Sequence, residues 1–185
     1  MVPISLCERN GQLHHVLRKY KDSPNWQVRA QLSVQVAALM ARFLATHRSC
    51  IQRAASGTWE ALTVVPSSQQ GTGPHPLEHA LSLISGWDEI LVTTLRPGAA
   101  QLGHQQADDH GYEIVVGVAG RSYLLLDDTF TTGARLQSAA SALRLAGAHV
   151  VAAVVIGRFV NPEYCAELLQ TAKTDRYDFA PCCLE

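Results

Sequence analysis

Along this chain the spacing of apolar residues switches repeatedly between a helical and an extended period. Between residues 27 and 46, Leu32, Val36, Leu39, Met40 and Phe43 share one helical face. Residues 61–65 form a short β-rich run, and residues 76–85 return to helical spacing with Leu77, Leu81 and Ile84. Residues 89–94 and 113–118 read as strands. Residues 122–126 make a compact apolar run, 134–146 a helix, and 149–156 a continuous apolar strand. Three stretches between them read as loops: 54–58, 67–76, and 96–112 with Pro97, Gly98, Gly103 and Gly111. The last is long enough to expect a functional or mobile loop.

Alternating strands and helices predict an α/β fold: a three-layer, mostly parallel twisted sheet with helices on both faces. The unbroken runs Leu124-Leu125-Leu126 and 150–156 agree, because a strand buried on both faces has no need to alternate. A length of 185 residues suits one domain with a substantial core. We expect that core at about residues 59–157, with a small hood built from the terminal segments.

Composition narrows the function classes. With 15 Lys plus Arg against 16 Asp plus Glu, the chain lacks the basic excess of a nucleic-acid binder. Direct nucleic-acid binding is therefore not expected. The basic segment Arg18-Lys19-Tyr20-Lys21 reads as a solvated helix end, with Lys19 and Lys21 facing a ligand as the alternative. The first residues lack the charged start and apolar run of a signal peptide, and no stretch reaches the ~18 apolar residues of a membrane span. The expectation is a cytoplasmic protein with no membrane partner. Five cysteines without a CxxC pair read as reduced thiols. Metal binding by Cys7 with Cys182 and Cys183 stays open, though no ligand spacing supports it. His75 and His79 flank Pro76 at a helix start, where a capping or surface role is expected rather than a metal site.

The chemistry concentrates in Tyr123-Leu124-Leu125-Leu126-Asp127-Asp128-Thr129-Phe130-Thr131-Thr132-Gly133-Ala134. A buried strand here meets two carboxylates, then a Thr-rich turn, a glycine and a helix. Ligands of open α/β sheets bind beyond the carboxyl ends of the strands. A strand-to-helix turn offers backbone N–H groups and the positive end of the helix dipole, which suit a phosphate. The hydroxyls of Thr129, Thr131 and Thr132 can add hydrogen bonds, and Gly133 permits close approach. The carboxylates repel phosphate and suit neutral hydroxyls or a magnesium-bound group. A sugar with vicinal hydroxyls and a phosphate satisfies every part.

This stretch resembles the signature of the type I phosphoribosyltransferases. The resemblance implies that Asp127 and Asp128 hold the ribose 2′ and 3′ hydroxyls. It also implies that Thr129, Phe130, Thr131, Thr132, Gly133 and Ala134 wrap the 5′-phosphate of 5-phosphoribosyl 1-pyrophosphate or of a nucleoside monophosphate. Magnesium is then the cofactor, held mainly through the ligand, with Asp127 and Asp128 acting indirectly. By the same resemblance, Pro66, Ser67 and Ser68 are the pyrophosphate loop, here without the usual basic residue. Arg96 and His104 belong to a flexible loop that closes over the reacting centre. The segment from Gln12 to Asp22, the helix after it and Val64-Val65-Pro66 are similar to the amidophosphoribosyltransferase-like ComF proteins associated with bacterial competence. The cysteine-rich zinc module of many ComF-like proteins is missing.

The resemblance thus implies a pentosyltransferase of nucleotide metabolism that releases pyrophosphate. Its alternative is a non-catalytic phosphoribosyl-pyrophosphate-binding or competence-associated protein with a protein partner. A homo-oligomer is compatible with either. The acceptor is expected against the terminal segments, where residues 157–162, Tyr164, Tyr177 and Phe179 are candidates for lining it or for ordinary packing.

Overall fold

Two nearly apolar strands form the centre of the molecule. The computed structural model describes residues 1–67, 75–99, 105–174, 177–181 and 184, the side chains of 171–174 excepted. Strand β5 (Ser122–Phe130) lies parallel to β6 (His149–Phe159), with Leu124 beside Ala152 and Leu126 beside Val154. β2 (Ala61–Val64) extends the sheet on the β5 side, and β1 (Val2–Cys7) extends it on the β6 side. The order is β1-β6-β5-β2, all parallel.

The pleat divides the apolar residues between two faces. Leu124, Leu126, Val154 and Ile156 pack with Leu62 and Val64 against α1 (Gln12–Asp22), α2 (Trp26–Ala55) and α3 (Pro76–Leu81). Tyr123, Leu125, Ala153 and Val155 pack with Ala61 and Val65 against Leu136, Ala139 and Leu143 of α4 (Ala134–Leu145). The molecule is therefore a mixed α/β fold with a four-stranded parallel sheet between helices. A final helix, α5 (Pro162–Thr174), follows β6. Among the described residues no helix is long and apolar enough to cross a membrane.

Several elements differ from the sequence expectation. α2 continues to Ala55 because Ile51 and His47 still face the core. β5 does not stop at Leu126. β6 runs on beside it to Phe159, so Asp127, Thr129 and Phe130 find partners in Val155, Gly157 and Arg158. Residues 89–94 contribute one parallel bridge, Leu91 to Leu62, rather than a strand. The N–H groups of Ile90 and Leu91 are committed to the carbonyl of Trp87, which holds the backbone in a turn. The strand expected at 113–118 shortens to β4 (Tyr112–Ile114), which pairs antiparallel with β3 (Leu95–Pro97).

The expected hood is also revised at the N-terminus. β1 belongs to the core sheet, with Val2 and Ile4 in the main apolar cluster. The C-terminal segment does lie over the helices and the sheet edge. The Tyr177 hydroxyl donates to the carbonyl of Ile4 at 3.1 Å, and Arg42 stacks on the Phe179 ring at 4.2 Å.

Candidate functional site

The same pleat that builds the two cores separates the acidic pair. Asp127 follows Leu125 toward α4, and Asp128 follows Leu126 toward α1. Both are buried, at 4% and 1% exposure, which is rare for carboxylates without partners. Their surroundings differ. Oδ1 of Asp127 accepts the backbone N–H of Asp128 at 2.8 Å, and Nη2 of Arg135 lies 3.9 Å from its Oδ2. Oδ2 of Asp128 accepts the Tyr20 hydroxyl and also pairs with the Lys21 ammonium. Oδ1 of Asp128 is buried with no hydrogen-bond partner among the described residues.

These environments push the two carboxyls apart. Burial raises Asp127, the neighbouring Asp128 charge raises it further, and Arg135 and Lys21 only partly offset this; it reaches about 7. Burial acts upward on Asp128 too, but the Lys21 charge and the hydrogen bonds from Lys21 and Tyr20 outweigh it. Asp128 therefore sits below the ordinary carboxylate range. At neutral pH the pair holds a firmly ionised Asp128 beside an Asp127 near its midpoint. Adjacent carboxyls tuned apart in this way suit one anionic and one proton-holding role.

Other elements complete the rim. His75, the N-cap of α3, accepts the N–H of Leu77 through Nδ1 at 3.3 Å, in line with the expected capping role. Burial lowers its pKa to about 4, partly opposed by Asp128, so the ring is neutral at physiological pH. The Tyr112 hydroxyl donates to the carbonyl of Pro66 at 2.9 Å and ties β4 to the loop after β2. Burial raises that phenol to about 12.

The turn after β5 is built as the sequence suggests. Thr129 and Phe130 are half-buried, while Thr131 and Thr132 are exposed. Gly133 is the N-cap of α4 with φ +85°, a residue with no side chain of its own to cap the helix start. A Cβ at Gly133 would lie 2.7 Å from the Phe130 ring, so glycine is required by dihedral and by space. The N-terminus of α4, with Ala134 buried at its first position, opens beside the acidic pair.

Chain continuity brings Asp127, Asp128 and residues 129–134 together. Pro66 joins them through Tyr112, and Ser67 follows it; Ser68 and His104 lie outside the described residues. The Arg96 guanidinium donates to Oε2 of Glu113 at 2.9 and 2.7 Å across the β3–β4 pair, an exposed contact. The loop it begins is anchored at its return. The N–H of Asp108 donates to Ser138 of α4 at 2.9 Å, and the Ser141 hydroxyl donates to Asp109 at 2.5 Å. Cys7 is buried in β1, while Cys182 and Cys183 lie outside the described residues.

Sequence reasoning missed Tyr20, Tyr112 and Arg135, and set Lys21 toward a ligand only as the lesser alternative. The segment read as a solvated helix end is in part the wall of the site: Tyr20 is 2% exposed and Lys21 reaches the acidic pair. Leu17 and Tyr20, three apart on one face of α1, carried that signal. Arg135, in the first turn of α4, faces Asp127. A cation in the first turn of a helix opposes the helix dipole, and such a local conflict points to a nearby anion.

Fold and site together define an α/β protein with a buried carboxylate pair and two cations at the carboxyl edge of a parallel sheet. No family model matches the chain, and a search of the curated proteins found no match.

Proposed function

We propose that this protein binds 5-phosphoribosyl 1-pyrophosphate and transfers its phosphoribosyl group to an amine or base, releasing pyrophosphate. One observation carries the reading. A buried acidic pair adjoins the N-terminus of α4, which starts at Gly133 after a Thr-rich turn, so hydroxyl acceptors and a phosphate cradle lie side by side. A phosphorylated ribose requires that combination, and neither half alone explains the other.

In this reading the Thr131–Gly133 turn receives the 5′-phosphate through hydroxyls and N–H groups. Asp128 accepts a ribose hydroxyl through Oδ1, which has no partner among the described residues. Asp127 accepts the second hydroxyl, or donates to it when protonated. Magnesium fits as a ligand-borne ion, because Oδ1 of Asp128 can also accept a metal-bound water, and it would neutralise the pyrophosphate. The C1–oxygen bond to pyrophosphate breaks, the acceptor nitrogen bonds to C1, and its proton leaves to water. The protein acts by positioning and charge stabilisation.

Calorimetry with 5-phosphoribosyl 1-pyrophosphate and magnesium tests this. We expect binding by the native chain and loss of at least about tenfold in affinity in Asp127→Asn/Asp128→Asn, equal to ~1.4 kcal/mol. Native protein that binds nothing sinks the reading. A second reading, binding without turnover, draws on the Tyr20 and Lys21 contacts that already engage Asp128. Binding with no pyrophosphate release across a panel of amines and bases would select it.

A further inference from the structure

Two positively charged side chains reach the acidic pair among the described residues, and they are held differently. Arg135 stands 3.9 Å from Asp127, at the start of α4. Lys21 pairs directly with Oδ2 of Asp128 from the last turn of α1. Its neighbour Tyr20 is packed at 2% exposure and donates to the same oxygen. The Lys21 side chain retains 27% exposure, so it is less enclosed than its neighbour. One partner of Asp128 is fixed, and the other can leave.

We infer that Lys21 exchanges Asp128 for a ligand phosphoryl oxygen and thereby selects ligands that carry both a diol and a pyrophosphate. The inference rests on the phosphoribosyl reading above and deepens it. A buried ion pair resists losing one partner, because the charge left behind is uncompensated. A neutral sugar offers hydroxyls to Asp128 and nothing to Lys21. Inorganic pyrophosphate offers oxygens to Lys21 but is repelled by the carboxylates. A pyrophosphorylated ribose supplies both at once, so each half of the pair gains a partner as the old contact opens. Tyr20 stays on Oδ2 and keeps the carboxylate oriented, with Oδ1 toward the ligand. The loop after β2 lacks a basic residue, and Lys21 supplies that charge from a helix far away in sequence. His75 adds no charge to compete with it at physiological pH.

The test compares two probes that differ by the pyrophosphate. Affinities for 5-phosphoribosyl 1-pyrophosphate with magnesium and for ribose 5-phosphate are measured by calorimetry on the native chain, Lys21→Met and Lys21→Arg. Thermal melting checks that each variant folds. Lys21→Met is expected to weaken the first ligand at least tenfold and the second less than threefold, and Lys21→Arg to restore most of the loss. Equal weakening of both ligands overturns the inference, since Lys21 would then serve only to organise Asp128. Unchanged affinities overturn it as well. If Lys21→Met does not fold, the arginine variant decides: it must keep the native ratio of the two affinities. Native protein that binds neither probe removes the phosphoribosyl reading, and the inference falls with it.

Discussion

Asp127 and Asp128 are the same residue type, adjacent in sequence, and the fold gives them opposite electrostatic characters. The pleat decides this by sending one side chain toward Arg135 and the other toward Tyr20 and Lys21. The difference has a measurable consequence. The folded pKa of Asp127 is raised above its unfolded value near 3.8, so the folded state binds the extra proton. Its contribution to stability is full below that value and is lost as pH rises through about 7. Asp128 has a depressed pKa and changes charge below this window, so it stays constant within it. Asp127→Asn should therefore gain on the native chain as pH rises from about 4.5 to 7.5. The expected gain is on the order of 1 kcal/mol or more by urea denaturation. A flat difference across that range would show that Asp127 titrates normally.

At the scale of elements, the β5–α4 junction is the most tightly specified part of the site. β5 runs four residues past Leu126, where its apolar run ends, because β6 keeps offering partners as far as Phe130. The chain then has three residues in which to enter α4, and Gly133 makes the turn at φ +85° under the Phe130 ring. Gly133→Ala is expected to cost about 1–3 kcal/mol through strain and displacement of that ring. It should also weaken binding of a phosphate-bearing ligand by moving the α4 N-terminus. Unfolding curves and calorimetry on the same preparation check both. Stability within ~0.5 kcal/mol of native would contradict the geometry. The β3–β4 ribbon illustrates a different rule. Residues 96–112 carry loop-forming glycines, yet their return limb is hydrogen-bonded to Ser138 and Ser141 of α4. Composition marked a loop there, but hydroxyls on a distant helix decide how its end is fastened.

Across the whole molecule, the sheet recruits its edge from the start of the chain. β1 pairs with β6 and places Ile4 at 6% exposure in the core shared with α1 and α2. A hood strand would tolerate truncation of such a side chain, whereas a core strand does not. Ile4→Ala should cost ~2–5 kcal/mol of unfolding free energy, as for other buried aliphatic truncations. A loss under ~0.5 kcal/mol would return the segment to the periphery. The same arrangement explains the site. With β1 in the sheet, the chain turns at once into α1, and its last turn arrives over the carboxyl end of β5.

The sequence by itself determined the βαβ unit of β5, α4 and β6. It also determined the acidic pair, the Thr-rich turn and the glycine that closes it. These follow from local rules: apolar runs bury, turns take Thr and Gly, and helical spacing repeats over a few residues. The tertiary structure alone decided what surrounds the carboxylates. Tyr20 meets Asp128 across 108 positions of sequence, and no local period encodes such a contact. The edge position of β1 and the pairing of Arg96 with Glu113 belong to the same class. Each depends on which strand lies beside which, and that is settled by burying two apolar faces at once. Local chemistry thus named the acidic pair and the turn beside it, and long-range packing fixed the charge of the pair.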